Sequence, residues 1–214
     1  MAYQKIKVWS VLLRLFHWSF AGAIVVLVTT GTYINTPWTN TLLLGQDTFP
    51  MATMRYIHFL AGVIFSCAIL IRIYLLLFGR RHERLLDFAP FTGRVAKKIP
   101  GQLRTYLYLR EFKEGHLGHN PLAGMAYLTT FFLALGQIIS GFYLLYPESA
   151  TWQWLGLTLF GPQQQARNIH HALMWYFIIF VLVHLYLVIW NEIKASDGLI
   201  SSMFSGKKYK KDSN

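Results

Sequence analysis

The stretch His170-His171-Ala172-Leu173-Met174-Trp175-Tyr176-Phe177-Ile178-Ile179-Phe180-Val181-Leu182-Val183-His184-Leu185-Tyr186-Leu187-Val188-Ile189-Trp190 decides how this chain is read. Its length suffices to cross a bilayer, because about 20 apolar helical residues span the ~30 Å hydrocarbon core. Yet it carries histidines at its start and past its middle. His170 and His184 stand 14 residues apart. At about 100° per residue that spacing returns to nearly the same helix face, offset by roughly 40° and displaced by ~21 Å along the axis. Two imidazoles on one face, one in each half of a membrane, suit two stacked haems. His171 stands 13 residues from His184, about 140° around the helix, so the phase favours His170 over His171 as ligand.

Three more apolar blocks precede this one. They run from about Val11 to Ile34, from Met54 to Phe78 and from Leu122 to Tyr146, the last opened by Pro121, and the fourth extends from His170 to about Ile193. The expected fold class is therefore all-α, an integral membrane four-helix bundle occupying residues 1–200, with a basic tail at 201–214 expected to be disordered. The composition agrees: 54% of the 214 residues are hydrophobic and 16% aromatic, and mean hydropathy is +0.37. Ordinary soluble domains are less apolar. The start of the chain, with Lys5, Lys7 and Arg14 before an apolar stretch, resembles a signal peptide. Its apolar part is too long for an h-region of roughly 7–15 residues, so it is read as a retained first span. The single cysteine, Cys67, leaves no intrachain disulfide or thiolate cluster.

The formal charge of +11 does not point to nucleic acid, because the cations lie between the apolar blocks. Lys5, Lys7 and Arg14 precede the first span. Arg80, Arg81, Arg84, Arg94, Lys97, Lys98, Arg104, Arg110 and Lys113 lie between the second and third, and Lys194, Lys207, Lys208, Lys210 and Lys211 follow the fourth. The other two connections hold only Arg55 and Arg167. By the positive-inside rule both termini and the long loop are cytoplasmic, in a multi-pass protein of the cell inner membrane. Residues 102–112 suit a short surface helix. The aromatic-rich connection from Tyr146 to Asn168 suits either the membrane interface or a partner on the outer side.

With that topology the histidines can be compared by depth. His58 starts the second span from the outside, as His170 starts the fourth. His17 lies near the cytoplasmic start of the first span, at the depth of His184. Topology came from Lys and Arg, and pairing from His spacing, so their agreement carries weight. A haem with imidazole on both faces has six-coordinate iron and no open site, and its chemistry is electron transfer. Gly31, 14 residues after His17, sits on the same face at the outer depth, where a missing Cβ lets a haem edge approach. Arg72, 14 residues after His58, sits at the inner depth, where it can pair with a propionate, as can Arg14 one turn before His17. His82, His116 and His119 belong to the cytoplasmic loop and read as solvated residues.

These residues carry a family resemblance. Arg14-Leu-Phe-His17-Trp18, Arg55-Tyr-Ile-His58, Gly118-His-Asn-Pro-Leu122, His170-His171-Ala-Leu-Met-Trp175 and His184-Leu-Tyr186 resemble the b-type cytochrome subunit of membrane-bound nickel–iron hydrogenases over essentially the whole chain. The His pattern alone is shared with other four-helix di-haem cytochromes b, including the gamma subunit of formate dehydrogenase. The resemblance implies two haem b groups. It implies partners in the iron–sulfur small and nickel–iron large subunits of the hydrogenase, and quinone as electron acceptor. It also implies a quinone site near His184, with Asn120 matching a lining Asn of the gamma subunit, although Leu122 stands where a small residue is expected. The hydrogen chemistry then belongs to the partner chains. Two other readings stay open: a cytochrome b subunit of another respiratory dehydrogenase or reductase, and a haem-free transporter or membrane anchor. The second is weakened because no Asp or Glu lies within the first three spans. No Rossmann fingerprint or P-loop occurs, so the chain has no nucleotide site of its own.

Overall fold

The computed structural model describes residues 3–39, 49–80, 83–84, 99–106, 121–195 and 198–211. The described residues form helices α1 (Val11–Asn35), α2 (Pro50–Phe78), α3 (Ile99–Tyr106), α4 (Pro121–Leu145), α5 (Ala150–Phe160), α6 (Gln163–Ala195) and α7 (Leu199–Ser205). Two short strands, β1 (Tyr3–Lys7) and β2 (Lys207–Lys211), complete the list. Helices α1, α2, α4 and α6 are long and apolar enough to cross a membrane, so the fold is nearly all-α with four spans. Local chemistry sets the ends. The Ser10 hydroxyl accepts the Leu13 N–H at 3.1 Å and caps α1. Proline opens α2 and α4, where its missing N–H costs no hydrogen bond.

Two starts differ from the sequence reading. Helix α2 begins at Pro50 rather than Met54, and α6 begins at Gln163 rather than His170. In both cases helical backbone continues past the apolar stretch. A larger difference lies at the end of the chain. Residues 201–211 do not follow the expected disorder: α7 and β2 are ordered, and β2 pairs antiparallel with β1, Lys5 opposite Tyr209 and Lys7 opposite Lys207. Residues 107–112 of the expected surface helix, and His82, His116, His119 and Asn120, lie outside the described residues.

The chain divides into two compact units. The first comprises Met1–Phe16, Ile71–Phe132 and Phe180–Asn214. Its core is Val8, Trp9, Leu13 and Leu75, with Ile6, Leu12, Phe16, Ile71 and Met203 packed against it. The Trp9 indole N–H donates to Ser202 Oγ at 3.0 Å. Gly206 turns the chain from α7 into β2 at φ +77°, a conformation that L side chains rarely adopt, and its carbonyl accepts from the Val8 and Trp9 N–H groups. Glu83 is 1% exposed. Its carboxylate accepts the Ser10 N–H at 2.8 Å and the Arg80 N–H at 3.0 Å, joining the entry of α1 to the exit of α2.

The second unit comprises His17–Leu70 and Leu133–Ile179. Here parts of all four long helices pack as a bundle. Phe20 of α1 stacks on Phe65 of α2 at 4.7 Å, and both meet Phe177 of α6 edge-on at 6.5 and 6.0 Å. Helix α5 folds back on α4, with Trp152 stacked on Phe142 at 5.0 Å and Gly156 against the Tyr143 ring.

Removing the Glu83 carboxylate leaves two partly buried N–H groups without that acceptor, and takes a negative charge from the vicinity of buried Arg72. Glu83→Ala is expected to cost about 3 kcal/mol and Glu83→Gln roughly half of that. Unfolding of the detergent-solubilised chain measures both. Unchanged unfolding midpoints would remove Glu83 from the account of the fold.

Candidate functional site

The expected site residues fall into distinct surroundings, and the clearest lies in the second unit. His58 of α2 and His170 of α6 face one another, with ring centroids 6.4 Å apart and planes inclined by 61°. An imidazole nitrogen lies about 1.2 Å from its ring centre. A bound first-row metal lies about 2.0–2.1 Å from that nitrogen. Two imidazoles on opposite sides of one ion therefore hold their centres about 6.5 Å apart, which is the spacing found here.

The surroundings favour two rings and nothing larger on the chain's side. Gly31 of α1 lies against His58: a Cβ there would sit 3.4 Å from His58 Cε1. Gly141 of α4 lies against His170 in the same way, its notional Cβ 3.3 Å from His170 Cε1. Both glycines admit a ring that a larger residue would displace. Gly31 was expected from its spacing to His17 to face a haem edge; its nearest neighbours here are the His58 ring and the Met174 sulfur.

Each ring is also held from the other nitrogen. His58 Nδ1 lies 2.8 Å from Thr30 Oγ1, and His170 Nδ1 lies 2.8 Å from Ser140 Oγ. The Gln137 amide nitrogen lies 3.1 Å from His170 Nε2. Thr30, Gln137, Ser140 and Gly141 did not emerge from the sequence. Of the adjacent histidines, it is His170 that meets His58. The His171 Nε2 instead accepts the Trp175 indole N–H at 3.2 Å, on the same helix, so that lone pair is already engaged.

The other expected residues are placed as follows. His184, in the first unit, stacks on Phe180 at 5.8 Å and meets Tyr127 at 6.0 Å. His17, in the second unit, stands edge-on to Trp18 at 4.9 Å. Arg72 is 6% exposed. Its Nη1 donates to the Glu83 carbonyl at 3.1 Å and its guanidinium lies 5.9 Å from the Phe16 ring centre. Arg14 donates to the carbonyls of Ser10 and Phe204.

Among the described residues no three His, Cys, Asp or Glu side chains gather into a metal-binding group. A pair of histidines alone does not make a structural zinc site, which takes four protein ligands. It does suit a metal that arrives with its remaining ligands, as the iron of a porphyrin does.

A family model described as prokaryotic cytochrome b561 matches residues 8–206. The chain belongs to this family. A b-type cytochrome carries haem b, and the donor set of this chain fits that group. Similar proteins agree over nearly all of the sequence. One from Cupriavidus necator, named "Probable Ni/Fe-hydrogenase B-type cytochrome subunit", is 36% identical over 93% of this chain and 85% of its own length. One of the same name from Rhodobacter capsulatus is 34% identical over 97% of this chain and 82% of its own. The "Probable Ni/Fe-hydrogenase 1 B-type cytochrome subunit" of Escherichia coli K12 is 30% identical over 90% of this chain and 86% of its own.

The cytochrome's glycines give a direct check. Gly141→Val places branched methyls where the His170 ring lies, and is expected to lower haem content per chain severalfold. Gly136→Ala, whose Cβ would meet only Leu173 at an ordinary 3.8 Å, is expected to leave it unchanged. Haem absorbance against protein measures both. Full haem in Gly141→Val would contradict the placement.

Proposed function

We propose that this chain is the membrane-embedded di-haem subunit of a nickel–iron hydrogenase, anchoring that enzyme and passing its electrons to quinone. The observation that carries the reading is the His58–His170 pair at 6.4 Å, found in a family of b-type cytochromes. The hydrogenase assignment rests on the names of the similar proteins. The second haem rests on the sequence spacing of His17 and His184.

When bound, haem supplies one-electron chemistry between ferric and ferrous iron. The chain supplies the rest. His58 and His170 would hold one haem, and His17 and His184, from their sequence spacing, would hold the other. A haem held by two histidines would supply electron transfer rather than oxygen or substrate binding. Phe20, Phe65 and Phe177, which pack on one another in the same unit as His58 and His170, add to apolar surroundings, one of the levers that set a redox potential. Arg72 and Arg14 are the proposed partners of propionates on the His17–His184 side. Asn120 is the proposed quinone contact.

In the proposed topology both termini face the cytoplasm in the inner membrane, and His58 and His170 lie towards the outer face. The small iron–sulfur subunit of the hydrogenase, bearing the large nickel–iron subunit, docks at that face. Electrons enter there and leave to quinone nearer the cytoplasm.

Single substitutions test the pairing. His58→Ala is expected to abolish one haem signal and spare the second. His17→Ala and His184→Ala are expected to do the reverse, and His171→Ala to leave both. Redox-resolved spectra of the folded variants read this out. Equal loss of both haems from every variant would contradict two separate pairs, and loss on His171→Ala in place of His170→Ala would reassign the ligand.

A further inference from the structure

We propose that Thr30 and Ser140 are positioning residues: their hydroxyl oxygens fix His58 and His170 as Nδ1–H tautomers, aim both Nε2 lone pairs at the iron and lower its reduction potential. This rests on the reading of His58 and His170 as ligands of one haem.

A hydroxyl has one proton to donate and lone pairs to accept with. Thr30 Oγ1 lies 2.7 Å from the Val26 carbonyl of its own helix, and Ser140 Oγ lies 3.1 Å from the Gln137 carbonyl of its own helix. Carbonyls only accept, so each hydroxyl has a place for its proton along its own helix. What remains on each oxygen is a lone pair, and each oxygen lies 2.8 Å from a ring Nδ1. With the hydroxyl proton on that carbonyl, the ring nitrogen is the donor in both contacts.

Neutral imidazole carries a single N–H. Placing it on Nδ1 leaves Nε2 with the free lone pair, the form that binds iron. The Gln137 amide nitrogen lies 3.1 Å from His170 Nε2, a contact that iron at that nitrogen would replace. Thr30 and Ser140 are 4% and 0% exposed, so water does not compete for either contact.

Ordinary back-bonding of Ser and Thr in an apolar helix accounts for the carbonyl contacts. It does not account for both hydroxyls meeting a ring nitrogen, nor for those rings being the two that face each other. The hydroxyls come from α1 and α4, the ligands from α2 and α6, so all four long helices converge on one pair. An acceptor on Nδ1–H makes the imidazole a stronger electron donor and favours the ferric state.

The test is potentiometric titration of the full chain, with the transition lost in His58→Ala marking the haem concerned. Thr30→Val and Ser140→Ala remove each hydroxyl at near-constant volume. Each is expected to shift that transition's oxidised-to-reduced ratio threefold to tenfold towards reduced, about 28–59 mV higher at ~59 mV per tenfold. The other transition stays fixed, and the low-spin g values of the affected haem change. Thr30→Ser, which keeps the hydroxyl, is expected to titrate with the parent.

Loss of that haem in Thr30→Val but not in Thr30→Ser supports the proposal as well. Unmoved potentials in both hydroxyl-free variants would overturn it. So would equal shifts of both transitions, or a Thr30→Ser shift or haem loss as large as that of Thr30→Val. A parent chain with no haem, or a His58→Ala variant that keeps both, would instead sink the ligand reading on which it rests.

Discussion

A polar group inside a membrane-length helix must find its partner within the protein, because hydrocarbon offers none. That constraint organises both units. The hydroxyls of Thr29, Thr30 and Thr32 return to carbonyls one turn back in α1. Arg72 is buried beside Glu83, whose carboxylate in turn takes up two backbone N–H groups. His58 and His170 are the most demanding case. Each has its Nδ1 beside a hydroxyl from a neighbouring helix, and His170 Nε2 also lies 3.1 Å from the Gln137 amide.

Much of the scaffold was legible from hydropathy. The first, second and third spans begin and end within a few residues of their expected positions, because an apolar block of that length has few alternatives to helix. The fourth starts seven residues early, since the helix continues through the polar segment Gln163–Ile169. The paired strands β1 and β2 were missed for a different reason. Lys207–Lys211 has almost no apolar content, and its partner Tyr3–Lys7 lies at the far end of the chain. No local pattern announces a pairing of that sequence separation.

The same division holds at the site. Helical phase singled out His170 over His171, and the structure places His170 against His58. Gly31 was visible through its spacing, although it meets the His58 ring. Thr30, Ser140 and Gly141 were not visible, because a small residue in an apolar helix usually serves close packing or back-bonding, and only the neighbouring helix reveals the difference. Gln137 was the available signal: a lone amide within an apolar span needs a partner, and that partner is His170. Glu83 sits between basic residues in a connecting loop, where sequence gives no hint of burial.

The electron-transfer account stands or falls on haem stoichiometry. The most direct measurement is a dithionite-reduced minus oxidised absorption spectrum of the purified full chain, with haem quantified against protein. The account predicts two low-spin b-type haems per chain. A folded, membrane-inserted chain with a single haem would contradict the second histidine pair, and one with none would return all four histidines to helix packing.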